Sequence, residues 1–167
     1  EMALLDACTR SRGLPLWKYF GQALSRVVTD ITIVISDLAQ TKKSARAFYA
    51  QGFRVFKIKI GRDLDLDIKR VAAVCEIAPK AKIILDANQA LSAHEALFFL
   101  SDLEKLHIHP VLIEQPVPKA DWDGLAKITR ESRVKVCADE SAASLEDASK
   151  AIRKKSVDAI NIKFMKT

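Results

Sequence analysis

The chain has 167 residues, 49% of them hydrophobic and 29% charged, a balance that suits one globular domain with a sizeable core and excludes a disordered tail. The formal charge is +6 with a pI near 9.3. Cations and acids are interleaved, however, as in Lys150-Ala151-Ile152-Arg153-Lys154-Lys155 after Glu146 and Asp147, so the excess reads as solvated helix faces with no case for a nucleic-acid partner.

No run approaches the roughly 18 apolar residues of a membrane span. Cys8, Cys75 and Cys137 are odd in number and lack C-x-x-C spacing, which argues against a disulfide framework or zinc knuckle and for a reducing cytoplasm. The chain opens inside a helical pattern and stops just after an apolar strand, so a piece of a longer protein is expected.

Residues 1 to about 20 read as a helix, a Gly13-Leu14-Pro15 turn and a short Leu16 to Phe20 segment closed by Gly21. Ile31-Thr32-Ile33-Val34-Ile35 is strand-like, and Thr41 to Gln51 is helical with Gly52 as its stop. Then follow strand 55–60, helix 64–78, strand 82–86, helix 92–105, strand 111–114, helix 121–131, strand 134–138, helix 144–154 and strand 158–163. Ser92-x-x-Glu95 is a capping box, and Ser144 with Asp147 is a weaker version.

A strand about every 24 to 28 residues, with helices between, predicts parallel βα units. An open nucleotide-binding sheet carries a glycine-rich turn after its first strand, and Ser36-Asp37-Leu38-Ala39-Gln40 has no glycine. The expected fold is therefore α/β, a (βα)8-type TIM barrel of which about six units, strands 1 to 6, are present and the last two strands are lacking.

The stretch Val55-Phe56-Lys57-Ile58-Lys59-Ile60-Gly61 puts two lysines on one strand face, where repulsion favours the neutral form of one. On an edge strand they would merely be solvated protection. The later strands decide between these. Asp86 ends the third, Glu114 the fourth, Asp139 the fifth and Lys163 the sixth, and counting on from Lys59 each follows the one before it by 27, 28, 25 and 24 residues. One acid at a strand end is well explained as a helix cap. Five successive ionisable ends point to the mouth of a barrel, where catalytic groups converge.

Asp86, Glu114 and Asp139 make an all-oxygen set that calls for a hard cation, Mg²⁺ with Mn²⁺ or Ca²⁺ as substitutes. Glu140, facing away from Asp139 on an extended strand, would support the ligands from behind. Lys59 and Lys163 flank the carboxylates, so one can take the proton α to a substrate carboxylate while the other returns it. Lys57 would tune Lys59. His107 and His109 fall before the fourth strand, at the far end from the mouth, and read as a surface loop. Trp17 and Trp122 read as packing, Phe164 and Met165 as core or rim, and Cys137 as a buried, inert thiol.

Lys57-x-Lys59, Asp86-Ala87-Asn88, Glu114-Gln115-Pro116, Asp139-Glu140-Ser141 and Lys163 together resemble the enolase superfamily, in its muconate-lactonizing subgroup. Thr29-Asp30-Ile31-Thr32 and Asn161-Ile162-Lys163-Phe164-Met165-Lys166 look most like the dipeptide epimerases of the L-Ala-D/L-Glu type.

The resemblance implies Mg²⁺-dependent proton transfer, through an enediolate, at the C-terminal residue of a dipeptide, with Thr32, Asn88 and Asn161 near the substrate. A muconate-type cycloisomerase, an o-succinylbenzoate synthase and an inactive barrel fragment stay open as alternatives. It further implies that residues 1–24 lead in from an absent N-terminal capping domain and that 25–167 are a partial barrel. The acidic pair of the last strand, which receives the substrate ammonium in that family, would also be absent. Alone the chain is expected to be inactive. The full-length form is expected to be a cytoplasmic homo-oligomer acting on a small carboxylate, with no nucleic-acid or membrane partner.

Overall fold

A computed structural model of the chain describes residues 2–21 and 27–163. Its elements are α1 (Met2–Ser11), α2 (Leu16–Tyr19), β1 (Ile31–Ile33), α3 (Leu38–Ala50), β2 (Val55–Lys59), α4 (Leu64–Ile77), β3 (Lys82–Asp86), α5 (Ala93–Lys105), β4 (Leu112–Glu114), α6 (Trp122–Glu131), β5 (Lys135–Ala138), α7 (Leu145–Lys154) and β6 (Ala159–Ile160). Each of α3 to α7 is started by a short polar side chain that accepts a first-turn N–H: Asp37, Asp63, Ser92, Asp121 and Ser144. The full capping box forms at Ser92 and Glu95. At Ser144 the shorter Asp147 carboxylate accepts instead from Ala143 N, at 3.2 Å.

Six strands form one parallel sheet in the order β1-β2-β3-β4-β5-β6. A doubly wound sheet reverses its strand order at a switch point. Here the order follows the chain throughout, which is the winding of a (βα)8-type barrel wall.

Period-two alternation separates two faces. Ile33, Ile58, Leu85, Ile113 and Val136 lie in register across five strands and are at most 2% exposed. They form the helix-side core with Val71, Val74, Phe99, Leu103, Leu125 and Ile128. Burying each such side chain contributes about 1.5–3 kcal/mol. The opposite face carries two further rows, Thr32-Lys57-Ile84-Leu112-Lys135 and Lys59-Asp86-Glu114-Cys137-Ala159.

Several boundaries differ from the sequence expectation, each for a local reason. α3 begins at Leu38 rather than 41, because Asp37 Oδ1 accepts from Gln40 N at 2.7 Å. β1 stops at Ile33 rather than 35, since the Arg70 guanidinium takes Val34 O. β5 ends at Ala138, so Asp139 and Glu140 occupy a turn rather than an extended strand, with Ala142 N bonded to Asp139 O at 3.1 Å. β6 loses its neighbour at the same level, and its pairing ends with Asn161 N on Ala138 O.

His107 and His109 are exposed ahead of β4. Trp122 is buried under Lys150, whereas Trp17 is 53% exposed and does not pack as expected. Phe164, Met165, Lys166 and the 24/25 boundary lie outside the described residues. Among those described, no helix is long and apolar enough to cross a membrane.

Candidate active site

The face opposite the helices gathers charge at the C-terminal ends of the strands. Lys59, Asp86 and Glu114 stand in register on β2, β3 and β4. Asp139 follows β5 by one residue and Lys163 follows β6 by three. Across the sheet the side chains thus run lysine, carboxylate, carboxylate, carboxylate, lysine. Asp86, Glu114 and Asp139 are 1%, 5% and 1% exposed, and buried carboxylates stay charged only when paired.

Lysines provide that pairing. Asp86 Oδ2 accepts from Lys59 Nζ at 2.8 Å and lies 3.0 Å from Lys57 Nζ. Lys57 also donates to both oxygens of Glu114, at 3.1 and 3.0 Å. Lys163 donates to Asp139 Oδ2. A shared carboxylate oxygen therefore stands between Lys57 and Lys59, in place of the bare repulsion expected from sequence. Burial pulls the Lys57 pKa down, but the hydrogen bonds and charges of Glu114 and Asp86 more than offset this and hold it above the usual lysine value. Lys163 is raised by its bond to Asp139, against a smaller burial effect and with help from the charges of Asp139, Glu114 and Glu140.

Amides complete the network. Asn88, at φ 43, accepts from Lys59 Nζ through Oδ1 and donates from Nδ2 to Glu140 Oε1 at 3.2 Å. Its backbone N–H bonds Asp86 Oδ1 at 3.1 Å. Asn161 Nδ2 donates to Glu114 Oε1 at 2.9 Å. Thr32 lies half-buried on the same face, in register with Lys57. Every residue singled out from sequence for this site is thus on one face at one end of the sheet. Cys137 is there as well, buried and in register with Glu114.

Sequence reasoning missed Gln115. It is fully buried, at φ 35. Its Oε1 accepts from Asp139 N at 2.9 Å and Ser141 N at 3.0 Å, while Nε2 donates to Val117 O and Ser141 Oγ. The amide holds the turn that carries Asp139. A glutamine directly after a strand-end acid was visible in the sequence, but its partners are brought in by the fold.

Among the described residues, no three His, Cys, Asp or Glu side chains are drawn together as a metal-binding group; the three carboxylates meet ammonium groups instead. The donors nevertheless fit a hard divalent ion. They are all oxygen, deeply buried, on adjacent strand ends, and Glu140 Oε2 beside them is buried without a hydrogen-bond partner.

Comparison with known proteins bears on the family of the chain. The family described as "Enolase C-terminal domain-like" matches residues 40–167. A hydrophobic dipeptide epimerase of Citrifermentans bemidjiense is 51% identical over all of this chain and 48% of its own length. The substrate-liganded L-Ala-D/L-Glu epimerase of Bacillus subtilis superposes with TM-score 0.93 at 34% identity, over 100% of this chain and 47% of that one. The dipeptide epimerase of Enterococcus faecalis V583, complexed with Mg and the dipeptide L-Leu-L-Tyr, superposes with TM-score 0.88 at 36% identity, over 97% of this chain and 46% of that one. The chain spans about half the length of the curated relatives it matches. Its parallel βα order, its row of strand-end lysines and carboxylates and these matches lead to one conclusion, that the chain belongs to the enolase C-terminal domain-like family.

Proposed function

We propose that the chain is part of a dipeptide epimerase in which Lys59 and Lys163 are the two acid/base groups. In this reading residues 25–167 are barrel wall and residues 1–24 lead in from a capping domain. The order of side chains across the sheet supports it: two lysines at the flanks, three buried carboxylates between them. The Lys59 and Lys163 side chains are 30% and 39% exposed, whereas Lys57 behind them is 16% exposed. The flanking pair is thus the one open to a substrate, and relatives over 30% identical are dipeptide epimerases.

One neutral lysine amine takes the proton from the α-carbon of the C-terminal residue, and the electron pair left behind delocalises into the substrate carboxylate as an enediolate. The opposite lysine, as ammonium, delivers a proton to the other face, which inverts the centre. Lys57 bridges Asp86 and Glu114 through its bonds to both and so fixes where the two carboxylates stand. Asn88 aims Lys59, and Asn161 aims Glu114. Thr32, Asn88 and Asn161 border the space for the dipeptide. Asp86, Glu114 and Asp139 would hold Mg²⁺, with Glu140 beside them, and when bound the ion supplies positive charge against the charge that builds on the substrate carboxylate.

The test is α-deuterium incorporation in ²H₂O by the full-length protein with Mg²⁺, over a panel of L,L dipeptides that includes L-Ala-L-Glu, L-Ala-L-Phe and L-Leu-L-Tyr. Incorporation with inversion, abolished by chelation and restored by Mg²⁺, is the expected result. A protein that binds these dipeptides and exchanges none of them would overturn the assignment.

A further inference from the structure

Arg70, on α4, is fully buried and donates from all three of its nitrogens. Nε reaches Thr41 Oγ1 at 3.0 Å. Nη1 reaches Lys59 O at 2.8 Å and Asp67 Oδ1 at 2.6 Å, and Nη2 reaches Val34 O at 2.7 Å. Asp67, 1% exposed, turns its second oxygen to Gly61 N at 2.7 Å. Desolvating two charges is costly, and well-packed apolar residues of similar volume are often at least as stable. Stability alone is therefore a poor account of this pair.

Its partners suggest another. The peptide unit between Lys59 and Ile60 is held at both ends, with Lys59 O on Arg70 and Ile60 N on Asp86 O at 3.0 Å. The next peptide is held by Gly61 N on Asp67. Gly61 itself sits at φ +116, and a Cβ there would lie 2.5 Å from Ala90 Cβ, so the turn also abuts the segment after β3. The backbone from which the Lys59 side chain leaves thus cannot rotate without breaking a bond to a buried charge. Thr41, which meets Ser36 Oγ at 3.1 Å, ties the same guanidinium to the loop after β1.

We propose that the Arg70–Asp67 pair is a positioning device for Lys59, setting the direction from which this lysine reaches the α-carbon and leaving Lys163, four strands away, untouched. This rests on the reading of Lys59 and Lys163 as opposed acid/base groups. Misplacement of a catalytic group by about 1 Å costs up to about 10²-fold in rate.

The test uses the full-length protein with Mg²⁺ and the dipeptide of the panel that exchanges fastest, offered as its L,L and L,D forms. Lys59→Ala and Lys163→Ala first show which form depends on which lysine. Arg70→Lys, Asp67→Asn and Thr41→Val are then expected to slow α-deuterium exchange of the Lys59-dependent form by about 10- to 100-fold, with the Lys163-dependent form within about 3-fold. In parallel, amide exchange at Ile60 and Gly61 should rise in Asp67→Asn while that at Gln115 holds. Should Arg70→Lys fail to fold, the two milder variants carry the comparison. Equal slowing of both forms, or no slowing in Asp67→Asn and Thr41→Val, overturns the proposal. Lysine variants that show no division between the forms overturn the two-base reading and this proposal together, and they do so without Arg70 being altered.

Discussion

Gln115 uses every hydrogen-bonding atom of its amide inside the protein, and two of the bonds fix the backbone on either side of Glu140. Gln115→Leu leaves the Asp139 and Ser141 N–H groups without an acceptor. Each unpaired buried group costs about 1–3 kcal/mol. The variant should melt at a lower temperature and, if Asp139 holds Mg²⁺, bind it more weakly by calorimetry. Unchanged affinity in a folded Gln115→Leu protein would remove the clasp from the account. Cysteine reactivity is a second single-residue prediction. Burial and the nearby Glu76 charge push the Cys75 thiol up to about 11, while Cys8 is exposed. At pH 8 a disulfide reagent should modify Cys8 rapidly and Cys75 only after unfolding. The ionisable residues of the mouth were legible in the sequence because each interrupts or ends an apolar run. Gln115 and Arg70 were not, since an amide or a helix Asp-Arg pair at i, i+3 looks the same in sequence whether its partner is water or a buried carbonyl.

At the level of elements, the local signals were the more readable ones. The box at Ser92 and Glu95 formed as expected, and Ser92→Ala should destabilise the protein by about 1 kcal/mol in urea denaturation. Bonds from the Ser92 backbone and hydroxyl hold the Glu95 carboxyl below its usual value. A depressed folded value means stability that is present above the unfolded pKa and lost as pH falls through the folded one. The gap between wild type and Glu95→Gln should therefore narrow as the solution is acidified below the ordinary carboxylate range; a gap constant with pH would contradict the box. α7 ends at Lys155 in a left-handed conformation, φ 48 and ψ 43, which disfavours a side chain by about 1–2 kcal/mol relative to glycine. Lys155→Gly should raise the unfolding midpoint despite the loss of a charge. The early start of α3 and the early end of β6 were illegible for one reason: Asp37 finds a first-turn N–H, and β5 ends at Ala138, only in the folded arrangement.

For the whole molecule, the spacing of about 24 to 28 residues between strand-end charges carried both the winding and the site, because a parallel sheet in chain order brings one residue per unit to the same end. What the spacing could not carry is the pairing within the site. Lys57 and Lys59 share Asp86, Lys57 also meets Glu114, and Lys163 meets Asp139, and no interval between strand ends specifies which lysine takes which carboxylate.

The central claim is that Lys59 and Lys163 serve opposite faces of one carbon. It is tested most directly by α-deuterium exchange of the L,L and L,D forms of one dipeptide in Lys59→Ala and Lys163→Ala variants of the full-length protein. The account predicts that neither variant inverts the centre, that each still exchanges one form, and that the surviving form differs between the two. Loss of exchange from the same form in both variants, or wild-type exchange in either, would contradict it.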